Sequence, residues 1–349
     1  MITTLKKESI KPKTDETLLE TVLLGAIPPR VPWVEFEVDF AHIAKVLKDE
    51  RIAQSEEISV ENYVEFVNRV GIDVLFYNCL WKVGRVYRKS SDGRNQYVDG
   101  NIKSRDDFYK ISAPDLENLT QRAGELSVAA KKNNTAFVVG LSTPYKLAKA
   151  AVGYEDFLIK TAQDISFLLE LEERLMEHTH AILRECLKYD VSAIMIPGDM
   201  CGKHGALLAP ESISRLWLKS TNEFIKPIRE RGIPVILHVD GDFSGVLDIL
   251  MKIEPDALHP FEVCGNLDIY NTKQSIGDRV TLMGNIDLNG VLTFGTAEEV
   301  RESVLEHILR LAPNGRYACG SSHEIGRSVP FENFMAMSDA IKEFGKYTI

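Results

Sequence analysis

The 349-residue chain predicts an α/β protein: a (β/α)8 TIM barrel preceded by a short N-terminal helical extension. Three observations lead there. Strand-length apolar runs alternate with helical stretches eight times along the chain. The runs are apolar throughout rather than alternating, as in strands covered on both faces. Polar and titratable residues gather where the runs end, the side on which such barrels carry their chemistry.

The elements follow in order. Residues 1–28 are mixed and charged, with one amphipathic piece at 15–24, and form the extension; residues 29–349 form the barrel domain. Pro28-Pro29-Arg30-Val31-Pro32 leads into the first strand, which ends at Glu35 and Glu37. Helices at 40–49 and 60–70 precede a second strand at 73–78, closed by Asn78. Residues 80–112, with Ser90-Ser-Asp-Gly-Arg94, predict a long loop or a β-hairpin, a natural lid or docking element. A helix at 116–131, a third strand at 135–141 and a long helical region at 145–188 come next. The fourth strand, 191–197, runs into a Gly198–Gly205 loop containing Asp199. A helix from Pro210 stops at Gly232. The fifth strand, Val235-Ile-Leu237, runs into His238-Val-Asp240-Gly-Asp242. The sixth ends at Glu262, the seventh at Gly284 just before Asn285 and Asp287, and the eighth near Gly320 before His323. Helices at 245–253, 267–276 and 296–311 fill the gaps, and one at 330–344 closes the chain.

Composition narrows the function. A net charge of −10 is the wrong sign for a nucleic-acid footprint. The first residues hold no apolar core of signal-peptide length, and no apolar run is long enough to span a bilayer. Five scattered cysteines without a C-x-x-C pair fit a reducing, cytoplasmic setting. No glycine-rich phosphate loop is present: Gly198 and Gly202 lack its order and its basic residues.

His238, Glu262 and His323, with Asp240 as a fourth, match the donors of a catalytic divalent metal such as zinc, about three protein ligands and one open position. Each has an ordinary reading too. A lone histidine at a strand end is more often a hydrogen-bonded rim residue, and Asp-Gly-Asp is common turn chemistry. Their conjunction points to metal. Asp199, Asn285 and Glu35 are candidates for orienting a reactant, and Glu37, Asn78 and Asp287 for holding the substrate. Glu35 and Glu37 share a face and read either as pocket carboxylates or as rim charges. His259 reads as buried and structural, Cys319 as a barrel-interior residue, and Cys264 stays open as a soft ligand.

These residues also carry a resemblance. The series Arg30-Val-Pro32, Gly153-Tyr-Glu-Asp156, Gly198-Asp199, Leu207-Leu-Ala-Pro-Glu211, Ile233-Pro-Val-Ile-Leu-His238, Leu282-Met-Gly-Asn-Ile-Asp287, Gly295-Thr-Ala-Glu-Glu-Val300, Ser321-Ser-His-Glu-Ile325 and Pro330-Phe-Glu-Asn333 resembles the uroporphyrinogen decarboxylase superfamily from about residue 28 onward. The resemblance implies a (β/α)8 barrel and one of two chemistries: cofactor-free decarboxylation of uroporphyrinogen, or methyl transfer. The methyltransferases typically hold zinc on His-x-Cys, a late Cys and, in one branch, a Glu. Here His238 matches, Asp240 replaces the first Cys, Glu262 resembles the Glu, and His323 stands for the late Cys. This donor set is harder than a thiolate site and suits activation of an oxygen or nitrogen donor. The decarboxylases carry an arginine-rich R-Q-A-G-R-Y-type segment near the first strand, whereas Trp33-Val-Glu-Phe-Glu-Val-Asp39 is acidic. His323 also resembles a late His of decarboxylases and does not decide. The expectation is a methyltransferase that demethylates a small donor, such as a methoxylated aromatic, and passes the methyl to a separate corrinoid protein. The alternatives are a metal-free decarboxylase and a barrel that only binds. A homodimer stays open.

Overall fold

The computed structural model describes residues 16–89 and 95–347. The Ser90–Arg94 stretch and most of the N-terminal extension lie outside the described residues. Helix α1 (Leu18–Leu23) starts on a reciprocal cap between Thr17 and Glu20. Then follow α2 (Phe40–Leu47), α3 (Val60–Val70), β1 (Val74–Cys79), a hairpin of β2 (Arg85–Lys89) and β3 (Asn95–Gly100), α4 (Leu116–Asn133) and β4 (Ala136–Leu141). The long helical region is three helices: α5 (Pro144–Val152), α6 (Tyr154–Gln163) and α7 (Ile165–Cys186). Gly153, at φ 94, and Asp164, at φ −150 and capping α7 through its side chain, break it. The chain continues as β5 (Ala193–Pro197), a two-residue ladder β6 (Cys201–Gly202) and β7 (Gly205–Ala206), α8 (Pro210–Ile213), α9 (Lys219–Glu230), β8 (Val235–Val239), α10 (Leu247–Leu250) and β9 (Ala257–Pro260). It ends with α11 (Ile269–Ile276), β10 (Thr281–Met283), α12 (Ala297–Leu311), β11 (Tyr317–Ala318) and α13 (Phe331–Phe344).

Seven strands share one sheet in the order β1-β4-β5-β8-β9-β10-β11, a TIM-barrel-like α/β arrangement. β5 and β8 pair parallel, as do β9, β10 and β11 in turn. The eighth expected strand, the first in the chain, is the departure. Residues 31–38 contribute isolated parallel bridges, Trp33 to Cys319 and Val38 to Ile325, instead of a continuous ladder. Pro29 and Pro32 have no N–H to give, which breaks the donor row. The segment is still fastened: Val34 N donates to Cys319 O at 2.8 Å, Cys319 N to Pro32 O at 2.9 Å and Asp73 N to Trp33 O at 2.9 Å.

The chain divides into two compact units, each with its own core. The first comprises Met1–Phe76, Leu126–Val138 and Asp256–Ile349. Trp33, Phe66 and Phe334 pack there, with Phe334 5.8 Å from the Trp33 ring and 6.3 Å from the Phe66 ring. The second comprises Tyr77–Glu125 and Val139–Pro255. Its ring pairs include Phe108–Phe167 and Tyr145–Phe157. In this unit the β2–β3 hairpin lies along α5: Tyr97 Oη donates to Ala150 O at 2.9 Å and Ile102 N to Ala151 O at 2.9 Å. A Cβ on Gly100 would come within 2.1 Å of Ala151 O, so glycine permits the approach. Among the described residues no helix is long and apolar enough to cross a membrane.

Candidate functional site

In the second unit, two neighbouring strand ends are tied into one loop cluster. His238 faces Pro197 in the β5–β8 register, and Gly198 N donates to His238 O at 2.6 Å. Beyond the strands, Asp242 N donates to Gly202 O at 2.9 Å. Gly241, at φ 76, passes so near that a Cβ would lie 2.6 Å from Gly202 O. The result brings three of the expected residues together. His238 Nε2 lies 3.0 Å from Asp240 Oδ1, and both side chains are partly exposed. Asp199, held at φ 36, faces two lysines. Its carboxylate is ion-paired with Lys146, while Lys149 Nζ donates to the Asp199 carbonyl at 2.6 Å and stands 3.9 Å from Oδ2.

Sequence reading missed these lysines. Thr143 caps α5 and Pro144 opens it, so Lys146 falls in the first turn, where the helix dipole repels a cation. A lysine placed against the dipole is the signal that could have found it. Burial, with the Arg85 charge adding, draws the Lys146 ammonium down to about 8, against the pull of Asp240. Burial and then Lys146 draw Lys149 to about 7, again opposed by Asp240. Asn78 is exposed near the end of β1.

In the first unit, the residues after β9, β10 and β11 behave differently. Glu35 is buried (4 % exposed) and saturated by its neighbours. Its Oε1 accepts from Trp33 Nε1 at 3.0 Å and from Ser321 N at 2.8 Å, and its Oε2 accepts from Ser321 Oγ at 2.6 Å. Burial raises the Glu35 carboxyl to about 7 in spite of these donors. Ser321 Oγ also contacts the His323 carbonyl. Asn285 is buried as well: Nδ2 donates to Phe261 O at 2.8 Å and Oδ1 faces His307 Nε2 at 3.1 Å. Asp287 caps the helical turn that follows it, its Oδ1 accepting from Asn289 N at 3.1 Å. Glu262 and His323 are half-buried and Glu37 exposed. Both His259 and Cys319 are buried.

Parallel strands with polar and titratable groups on the loops beyond their carboxyl ends define an enzyme-type α/β scaffold. The chain belongs to the uroporphyrinogen decarboxylase (URO-D) family, whose profile matches residues 84–344. It is 29% identical over 152 residues to a methylated-thiol–coenzyme M methyltransferase of Methanosarcina mazei, covering 41% of this chain and 38% of that protein. It is 26% identical over 174 residues to a uroporphyrinogen decarboxylase of Christiangramia forsetii, covering 50% and 48%. The chain thus matches less than half of the length of each of these two relatives. A solved methyltransferase from Methanosarcina mazei superposes with a TM-score of 0.74 at 18% identity, over 94% of this chain and 99% of that one, a likeness of fold.

Proposed function

We propose that the protein is a cytoplasmic methyltransferase that takes a methyl group from a small donor, a methoxylated aromatic for example, and delivers it to a corrinoid carried by a separate protein. The observation that carries this is the His238–Asp240 pair beyond the end of β8. Two donors on one ion at about 2.0–2.2 Å each stand roughly 3 Å apart, so the 3.0 Å separation fits shared ligation. In this reading His323 and Glu262 remain the further ligand candidates that the sequence offers. The nitrogen and oxygen donors suit zinc or another divalent ion of similar hardness. When bound, such an ion would supply Lewis acidity at the heteroatom that loses the methyl.

The chain's own residues do the rest. Asp199 and Lys146 set the polar wall facing the donor. Glu35 and Asn285, enclosed by protein partners, act by shaping the loops beyond β11 and β10. With residues 31–38 in the eighth position, residues 29–349 form one (β/α)8 barrel, for which the bridges from Trp33 and Val38 are the support.

The test is metal content by mass spectrometry on tag-free protein, beside a methyl-transfer assay. About one zinc per chain, lost in His238→Ala and Asp240→Ala, is the expected result. A reduced corrinoid mixed with methoxylated aromatics should gain a methyl only with wild type. Wild-type protein without metal after zinc is supplied would sink the Lewis-acid part; an inert corrinoid across the donor panel would sink methyl transfer.

A further inference from the structure

The hairpin brings a third cation to this group. Arg85, the first residue of β2, pairs in register with Gly100, which packs on α5. Its positive charge is felt at Lys146. Two of its donors, Nε and Nη2, are buried and meet no acceptor among the described residues. A buried guanidinium donor without an acceptor costs stability and calls for an explanation. The pair left over is informative. Nε–H and one terminal N–H form the side edge of the guanidinium, two near-parallel donors spaced to fit both oxygens of a carboxylate.

The charges agree. Lys146 and Lys149 are engaged by Asp199, and Asp240 draws on both, whereas the Arg85 side edge meets no acceptor among the described residues. The unmet donors of this group therefore sit on the Arg85 fork.

We propose that Arg85, with Lys146 and Lys149 behind it, forms a subsite for a single carboxylate on the small substrate. This names the substrate class of the site read above as a methyl-donor site and rests on that reading. The fork is covered in the ligand-free chain, so a carboxylate reaches it when the Arg85 side chain turns to another rotamer, a small change for a long side chain. Arginine suits this task better than lysine, because it stays charged and offers two fixed donors.

The experiment is calorimetric binding of 4-methoxybenzoate and its neutral amide, 4-methoxybenzamide, to the full chain and to Arg85→Gln and Arg85→Lys. Wild type should prefer the carboxylate by about tenfold or more, the size of a charge-assisted hydrogen bond. Arg85→Gln should bring the two ligands within about twofold by weakening the carboxylate alone. Arg85→Lys, which keeps the charge and loses the fork, should fall between them. Unchanged melting of both variants guards against a folding defect. Equal wild-type affinities, a parallel loss of both ligands in Arg85→Gln, or no binding of either would overturn the proposal. Binding is read without turnover, so methyl transfer from a neutral methoxyarene would still stand or fall separately.

Discussion

Glu35→Gln is the sharpest perturbation of the scaffold. The carboxyl rises from 4.5 to about 7 because it is fully buried, with hydrogen bonds from Ser321 and Trp33 opposing the rise. In the unfolded chain the proton leaves near 4.5; in the native chain it stays until about 7. Between those values the native state binds more protons, so stability falls as pH rises through the window. It is flat below and above. The rise from 4.5 to about 7, at about 1.36 kcal/mol per pH unit, amounts to about 3 kcal/mol. Glutamine fits the same space. Its oxygen can still accept from Trp33 Nε1 and Ser321 N, and its amide nitrogen can donate to Ser321 Oγ, which then turns toward His323 O. Urea denaturation of both proteins from pH 4.5 to 8 reads the effect. The stability difference, wild type minus variant, should decline by about 3 kcal/mol across that range. A difference that stays constant to within about 1 kcal/mol would show that Glu35 titrates normally and refute the burial argument.

Two further outcomes follow from packing and hydrogen bonding. Asn285→Ala strips the acceptor facing His307 Nε2 and the donor on Phe261 O, both in a buried setting. It should cost about 1–3 kcal/mol in urea denaturation; a loss under about 0.5 kcal/mol would mean water replaces the amide freely. Phe334→Ala empties a fully buried ring site against Trp33 and Phe66. About 3–5 kcal/mol should go, with a lower melting temperature as the first sign, whereas an unchanged melt would place the core of this unit elsewhere.

Most of the scaffold was legible because period and punctuation agree. Val60–Val70 reads as a helix from its spacing, and Ser59 at its cap and Gly71 at φ 90 close it where expected. β4, buried at every position, reads as a central strand from its apolar run alone. The first strand departs from expectation because Pro29 and Pro32 withhold donors that an apolar run does not reveal, and a strand needs donors as well as side chains. The site was half legible. His238 and Asp240 come together as the strand end suggests, because strand ends are visible in sequence and polar residues placed there announce themselves. Lys146, Lys149 and Arg85 are not. Their partners sit 50 or more residues away in the chain, as the 50-residue span from Lys149 to Asp199 shows. Spacing on a helix or a hairpin says nothing of such a meeting. Asn285 and Glu35 mislead in the opposite sense: their position suggests a reactant, and only geometry shows that protein groups already use their polar atoms.

Charge also bears on the proposed choice between the two chemistries of the family. A tetrapyrrole bearing many carboxylates needs a cation for most of them, since burying an unpaired carboxylate costs several kcal/mol. The loop cluster of the second unit already sets Asp199 and Asp240 against its lysines. In the first unit, the segment after Trp33 carries Glu35, Glu37 and Asp39. The Glu35 carboxyl, raised to about 7 by burial, titrates near neutrality, and Asp39 is held by Arg327, so that cation is already engaged. A single unfilled guanidinium fork suits a donor with one carboxylate. It does not match a polyanion. The low ammonium values of both lysines come first from burial, and a carboxylate arriving beside them would oppose that fall. Carboxylate binding should therefore raise the lysines' proton affinity, and calorimetry in buffers of different ionisation enthalpy should show about half a proton or more taken up per ligand near pH 7.5. Binding with no proton uptake would mean that the ligand's charge is met somewhere other than Arg85, Lys146 and Lys149.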